Sequence, residues 1–156
     1  MLQPLLRLML LEKNNTNSEK IGPILAIDYG TKCCGLAISD NDCTVAMPYK
    51  AIFVRDAEKA GMSVGQVIAD ECNKRGVVKI ILGLPLKDDL SESTMTGRVR
   101  EFRADLERHT GTPIEFSDEY LTSHMANDLL KDKKDKTKQD RDILSAQILL
   151  TNYLEK

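Results

Sequence analysis

Several features are scarce in this sequence, and each scarcity removes a class of protein. The most apolar stretch, residues 2–11, is broken by Pro4 and Arg7, runs into Glu12 and Lys13 and lacks a small-residue cleavage site, so it reads as neither a membrane span nor a signal peptide. The four cysteines, Cys33, Cys34, Cys43 and Cys72, include no CxxC spacing, and a reduced, cytoplasmic chain is expected. Positive charge is not in excess: 22 Lys and Arg against 24 Asp and Glu give a formal charge of −2. That is not the strongly basic body of a non-specific nucleic-acid coater, so any polyanion site must be local. A nucleophile is missing too, because neither His109 nor His124 stands in an elbow or triad pattern with Ser or Cys.

What is present fits one domain. With 156 residues, 42% hydrophobic and 29% charged, the chain can bury a core without staples but cannot hold two large domains. Residues 12–23 carry Asn14, Asn15, Thr16, Asn17 and Ser18 and show no apolar period, so residues 1–23 read as a mobile appendage to a domain over 24–156.

Within the domain, Ile24, Leu25, Ala26 and Ile27 lead into Asp28, Gly30-Thr31 marks a turn, and a second apolar run reaches Ser39, which predicts a hairpin. Residues 44–54, with Pro48 inside, predict a third strand that is bent or at an edge. Val64, Val67, Ile68 and Cys72 recur at helical spacing with Gly76 just beyond, and residues 77–84 form the continuous apolar run of a central, doubly covered strand. Met95, Val99, Phe102 and Leu106 predict a second helix, stopped by Gly111 and Pro113, and residues 114–116 a fifth strand ending at Asp118-Glu119. Two more helices are expected, over 122–131 and from about 141 to 154, the latter with Ile143, Ala146, Leu150 and Leu154 in one stripe. The class is α/β: a mixed five-stranded sheet, a three-strand meander followed by βα crossovers, flanked by helices. Such a sheet gathers its functional loops at the carboxyl ends of its parallel strands.

Two acids, Asp28 and Glu119, stand at strand ends, and a third, Asp142, stands at the start of the last helix. A charge directly after a buried strand must face a cleft, a metal or a helix N-terminus, although Asp28 also suits a cap on the turn at Tyr29-Gly30. Glu119, beside Asp118, equally fits the first turn of the next helix, and Asp142 fits a helix dipole. Converging, the three make an oxygen-only site suited to Mg²⁺ or Mn²⁺, whose chemistry hydrolyses phosphodiesters without a covalent nucleophile.

Four motifs now stand in order: Asp28-Tyr29-Gly30-Thr31-Lys32 with Gly35-Leu36-Ala37-Ile38-Ser39-Asp40; Gly83-Leu84-Pro85-Leu86; Asp118-Glu119-Tyr120-Leu121-Thr122-Ser123; and Asp142 leading Ser145-Ala146-Gln147. Together they resemble the YqgF/RuvX family of pre-16S rRNA nucleases, also described as Holliday junction resolvases. The resemblance runs from residue 24 to about 154 and implies a ribonuclease H-like fold with Asp28, Glu119 and Asp142 as catalytic, metal-binding acids. The implied function is metal-dependent processing of the 5′ end of pre-16S rRNA, with Holliday junction resolution as the alternative. In departure from the family's pattern, Cys33-Cys34 replace a basic and an aliphatic residue, Tyr120 an Arg and Ser123 a Thr. Two basic side chains are thereby lost to phosphate binding. A non-catalytic RNA-binding or transcription-associated module follows if those replacements disable the site; the presence of all three acids argues for an enzyme. The Asp28-Gly30-Thr31 turn is also similar to the phosphate hairpin of actin-like and sugar-kinase ATPases, whose two-lobed cleft one domain of this length cannot form.

Candidate nucleic-acid contacts are Lys32, Arg98, and Lys133, Lys134, Lys136 and Lys138 in a segment, 131–141, with six bases against three acids. A solvated face is the competing reading for each, and Glu101 and Asp105 are available to pair with Arg98, Arg100 and Arg103. The loop 87–93 after Gly83-Leu84-Pro85-Leu86 either follows a plain strand terminator or borders the cleft. The expected partner is nucleic acid, pre-rRNA or branched DNA, with no membrane. A monomer or a homodimer is compatible, and a two-fold dimer raises the junction reading.

Overall fold

The computed structural model describes residues 21–87, 89, 91–118, 125, 128–131 and 137–156. Gly22 and Pro23 are buried where the chain enters the domain, and the Pro23 carbonyl accepts from the Val78 amide at 3.0 Å. Three strands follow as an antiparallel meander: β1 (Ile24–Asp28), β2 (Cys33–Ser39) and β3 (Ala46–Phe53). β3 is an edge strand, as Pro48 requires of a ladder it cannot donate to, and the register shifts between Leu36 and Ala37 beside it.

A helix that the sequence pattern does not reveal, α1 (Val54–Lys59), follows β3 directly. Its six residues bury only Ala57, too little to show a helical period. α2 (Val64–Arg75) starts where the Ser63 side chain accepts from the Gln66 amide and ends on Gly76 at φ 65°, a left-handed position that glycine adopts without Cβ strain. β4 (Lys79–Leu84) runs parallel to β1, α3 (Thr94–His109) starts with a Ser93–Thr96 capping box, and β5 (Ile114–Asp118) runs parallel to β4, two residues longer than expected. α4 (Lys138–Leu154) closes the domain. The helix expected over 122–131 lies mostly outside the described residues.

The sheet order is β3-β2-β1-β4-β5. Side chains alternate across it, so each inner strand feeds two cores. One holds Leu25, Ile27, Leu36, Ile80 and Leu82 against Ile68 of α2 and Val99, Phe102 and Leu106 of α3. The other holds Ile24, Ala26, Ala37 and Ile81 against Ala146, Leu149 and Leu150 of α4. No described helix is long and apolar enough to cross a membrane.

Candidate active site

The alternation that buries Ile24 and Ala26 under α4 sends Asp28, the last residue of β1, to that same face. Tyr29 turns the other way and stacks on Phe102 of α3 at 4.8 Å, and burial raises its phenol pKa. The strand end is thus pinned from behind while the carboxylate stays on the α4 side.

Asp142 arrives from α4. The Asp140 carboxylate accepts from the Thr137 amide at 2.8 Å and hydroxyl at 2.9 Å, a capping box that fixes the first turn. Asp140 therefore serves the helix start, and Asp142, expected there as a dipole partner, sits two residues further in, at the fifth helical residue. Gly35, opposite Asp28 in the ladder, determines how close α4 comes: a Cβ at this position would overlap the Asp142 carbonyl. The helix backbone can lie on β2 there because no side chain intervenes.

Asp142 is half-buried, and its Oδ2 is wholly buried with no hydrogen-bond partner among the described residues. The Cys33 thiol lines the same cleft and lies close enough to this carboxylate for each to influence the other's pKa. Burial, then the negative charge of Asp28, push the Asp142 carboxyl up to about 6, against the opposing pull of Lys138 and Arg141. Cys33 is itself buried, and desolvation followed by the Asp142 charge raises its thiol to about 11, so it stays protonated. A buried carboxylate oxygen without a hydrogen-bond donor among the described residues, beside a second carboxylate, is an oxygen-only donor set of the kind that suits a hard divalent ion. Asp28 and Asp142 are the acids brought together; Glu119 lies outside the described residues, and no cluster of three candidate ligands occurs among those described.

A cleft of about 760 Å³ opens from Asp142 toward α1, lined among others by Lys32, Cys33, Phe53, Arg55 and Lys138. Two of the candidate cations, Lys32 and Lys138, therefore reach it. Lys133, Lys134 and Lys136 lie outside the described residues. Arg98 is exposed on α3, across the sheet from Asp142, where its charge favours the ionised form of the Tyr29 phenol. Arg100 and Arg103 stand over the Phe116 ring and pair with Glu92 and Glu107, not with Glu101 or Asp105 as the sequence suggested. Asp105 instead receives the Gly65 amide at 3.1 Å and Arg108 at 3.2 Å. The described part of loop 87–93 does not line this cleft, and the Pro85 carbonyl before it is tied to Thr96 at 2.6 Å.

Sequence reasoning missed Phe53, Arg55 and the Cys33–Asp142 contact. The signal for Phe53 was the meander itself, since a hairpin through Asn41-Asp42 sets Cys33 opposite Phe53.

A mixed sheet in the order β3-β2-β1-β4-β5, with an acid ending its central strand and another on the last helix, is a ribonuclease H-like fold. Solved structures agree: this fold superposes on a "T. thermophilus RuvC in complex with Holliday junction substrate" with a TM-score of 0.53, at 10% identity, covering 86% of this chain and 94% of that one. Within that class the chain belongs to the RuvX family, described as "Holliday junction resolvase", which it matches over residues 22–156. A relative from Maridesulfovibrio salexigens named "Putative pre-16S rRNA nuclease" is 38% identical over 134 residues, 84% of this chain and 96% of its own. One of the same name from Orientia tsutsugamushi is 38% identical over 136 residues, 85% of this chain and 83% of its own.

Proposed function

We propose that this protein hydrolyses phosphodiester bonds in ribosomal RNA precursors, at the 5′ end of pre-16S rRNA, using Mg²⁺ or Mn²⁺ held by Asp28, Asp142 and Glu119. The observation that carries this reading is the buried, unpartnered Oδ2 of Asp142 beside the charge of Asp28. Divalent cations of this kind, when bound, activate water and stabilise the leaving oxygen. The chain's own residues supply the frame for that chemistry. Gly35 lets α4 bring Asp142 to the sheet, the capping box fixes its turn, and Cys33 lines the cleft beside it as a neutral thiol. Lys32 and Lys138, lining the cleft, are placed to meet phosphate oxygens.

Ribosomal RNA is preferred to a four-way junction because the individual relatives at 38% identity carry the ribosomal name, while the junction name comes from the family description and from a RuvC fold likeness at 10% identity. A substrate of that kind supports a cytoplasmic location. The test incubates the protein and its Asp28→Asn variant with a pre-16S rRNA fragment and a four-way DNA junction in parallel, with Mg²⁺, Mn²⁺ or a chelator. Metal-dependent cleavage of the RNA that Asp28→Asn abolishes is the expected result. Cleavage of the junction alone overturns the choice of substrate, and cleavage of either in chelator overturns the metal chemistry.

A further inference from the structure

The chemistry of the acids leaves the outer wall of the cleft, on β3 and α1, without a role. Phe53 ends β3 opposite Cys33, and directly paired residues project to the same face of a sheet. The ring therefore stands on the same face as Cys33, in the cleft that Asp142 also lines, roughly 10 to 12 Å from Asp28 by strand spacing and rise. It is 39% exposed and is the one aromatic among the exposed large apolar side chains of the described residues. The Val54 amide donates to the Lys32 carbonyl at 3.0 Å, which ties the start of α1 to the turn after β1 and brings Arg55 and Lys32 to the same cleft.

Counted without a metal ion on Asp142, the charge lining this cleft is balanced. Lys32, Arg55 and Lys138 are offset by Asp56, Glu58 and Asp142. A continuous duplex backbone would meet as much repulsion as attraction there, so selective affinity has to come from a contact that phosphate does not make. An exposed aromatic face is such a contact, because a base released from pairing stacks on it whatever its identity. The volume of about 760 Å³ is within the range of sites that enclose a small organic group.

We propose that Phe53 is the stacking platform for an unpaired nucleotide next to the scissile phosphate, with Arg55 and Lys32 on the flanking phosphates, so that the strand offered to Asp28 and Asp142 is single-stranded. This rests on the nuclease reading and names the form of its substrate. Arg suits the phosphate position because its planar fork can donate two parallel hydrogen bonds. Phe53 is a specificity residue here and takes no part in bond cleavage.

The test is fluorescence anisotropy in chelator, where no turnover occurs, with fluorescein-labelled oligouridine, oligothymidine and a blunt duplex of matched length. The full-length parent is compared with Phe53→Ala, Phe53→Tyr and Arg55→Gln, each checked for an unchanged melting transition. Phe53→Ala is expected to lower affinity for both single strands at least about tenfold while leaving the duplex within about twofold. Phe53→Tyr should retain the parent's preference, and Arg55→Gln should weaken binding and flatten its salt dependence. Parental single-strand affinity in Phe53→Ala, or an equal loss on single strands and duplex, overturns the stacking role while leaving the nuclease reading standing. A parent that binds neither strand form also overturns the stacking role, and the nuclease reading is then decided by metal-dependent cleavage of the pre-16S rRNA fragment alone.

Discussion

The two faces of the sheet are built from the same strands and differ in what they can bear. The face under α2 and α3 is filled by large side chains, Leu25, Ile27, Leu36, Ile80 and Leu82, and ends at the stacked pair Tyr29 and Phe102. The face under α4 is shallower, with Ala26, Ala37 and Ala146 among Ile24, Ile81, Leu149 and Leu150 and with Gly35 against the Asp142 backbone, and it ends at two carboxylates. The deep face supplies apolar burial. The shallow face gives some of that up so that a helix can come near enough to bring Asp142 beside Asp28. Stability and chemistry are thereby assigned to opposite sides of single strands, and substitutions on one side should leave the other's property in place.

The largest test is on the deep face. Leu106 is fully buried against this core, and Leu106→Ala should cost about 3 to 4 kcal/mol in chemical denaturation. Metal-dependent cleavage per folded molecule should remain at the parental rate. If turnover fell as steeply as stability, the faces would not be separable. Gly35→Ala comes next, at about 2 kcal/mol, because the added methyl meets the helix backbone and α4 must lift. Here turnover should fall by much more than the lost stability accounts for, since Asp142 moves with the helix. A Gly35→Ala protein with normal cleavage would show that close packing of α4 is not needed.

The deep face was also the more legible in the sequence. Helical spacing of Val64, Val67, Ile68 and Cys72 and of Val99, Phe102 and Leu106 marks α2 and α3, and continuous apolar runs mark β1 and β4, because large buried side chains impose a period. The shallow face writes a weaker pattern. The strand-end position of Asp28 and the motif around Asp142 pointed to the acids, but the closeness of Cys33 to Asp142 joins residues far apart in the chain and has no local signature. Cys33, read from sequence as a lost phosphate contact, faces a carboxylate instead, which leaves Lys138 and Arg141 as the opposing charges. Asp142 itself was expected at the helix start; Asp140 has that place, because the helix begins three residues earlier than the apolar stripe suggested.

A smaller effect separates the carboxylates from their frame. With its pKa raised to about 6 from 3.8, Asp142 makes the native state hold its proton more tightly than the unfolded chain does. Its contribution to stability is fully present below about 4 and is lost as pH rises through about 6. Because the group is only half-buried, the change amounts to about 1 kcal/mol after allowance for screening by water. Melting temperatures without metal should therefore decline across that interval in the parent and not in Asp142→Asn, which should be the more stable at neutral pH and inactive. Added Mg²⁺ should raise the parent's melting temperature above pH 6 and have little effect below it, where proton and cation compete for one carboxylate. A metal response independent of pH would place the cation elsewhere.

The smallest effect is expected from Lys138→Gln. Lys138 stands one turn before Asp142 on α4 and lowers its pKa, and it also lines the cleft. Two roles are therefore open to one ammonium group, and they predict different measurements. If it serves the acid, its loss moves the acid limb of the cleavage pH profile upward by a few tenths of a unit, with the plateau rate and the salt dependence of binding unchanged. If it meets a phosphate, the pH limb still moves, because the charge is gone, but the slope of log affinity against log salt also falls by about 0.7 for a single-stranded substrate. The pH limb thus tests whether Lys138 is electrostatically coupled to Asp142, and the salt slope tests whether the cleft is occupied by backbone phosphate beside it. An unmoved limb with a flattened slope would assign Lys138 to the substrate alone and leave Arg141 as the charge that opposes the rise in the Asp142 pKa.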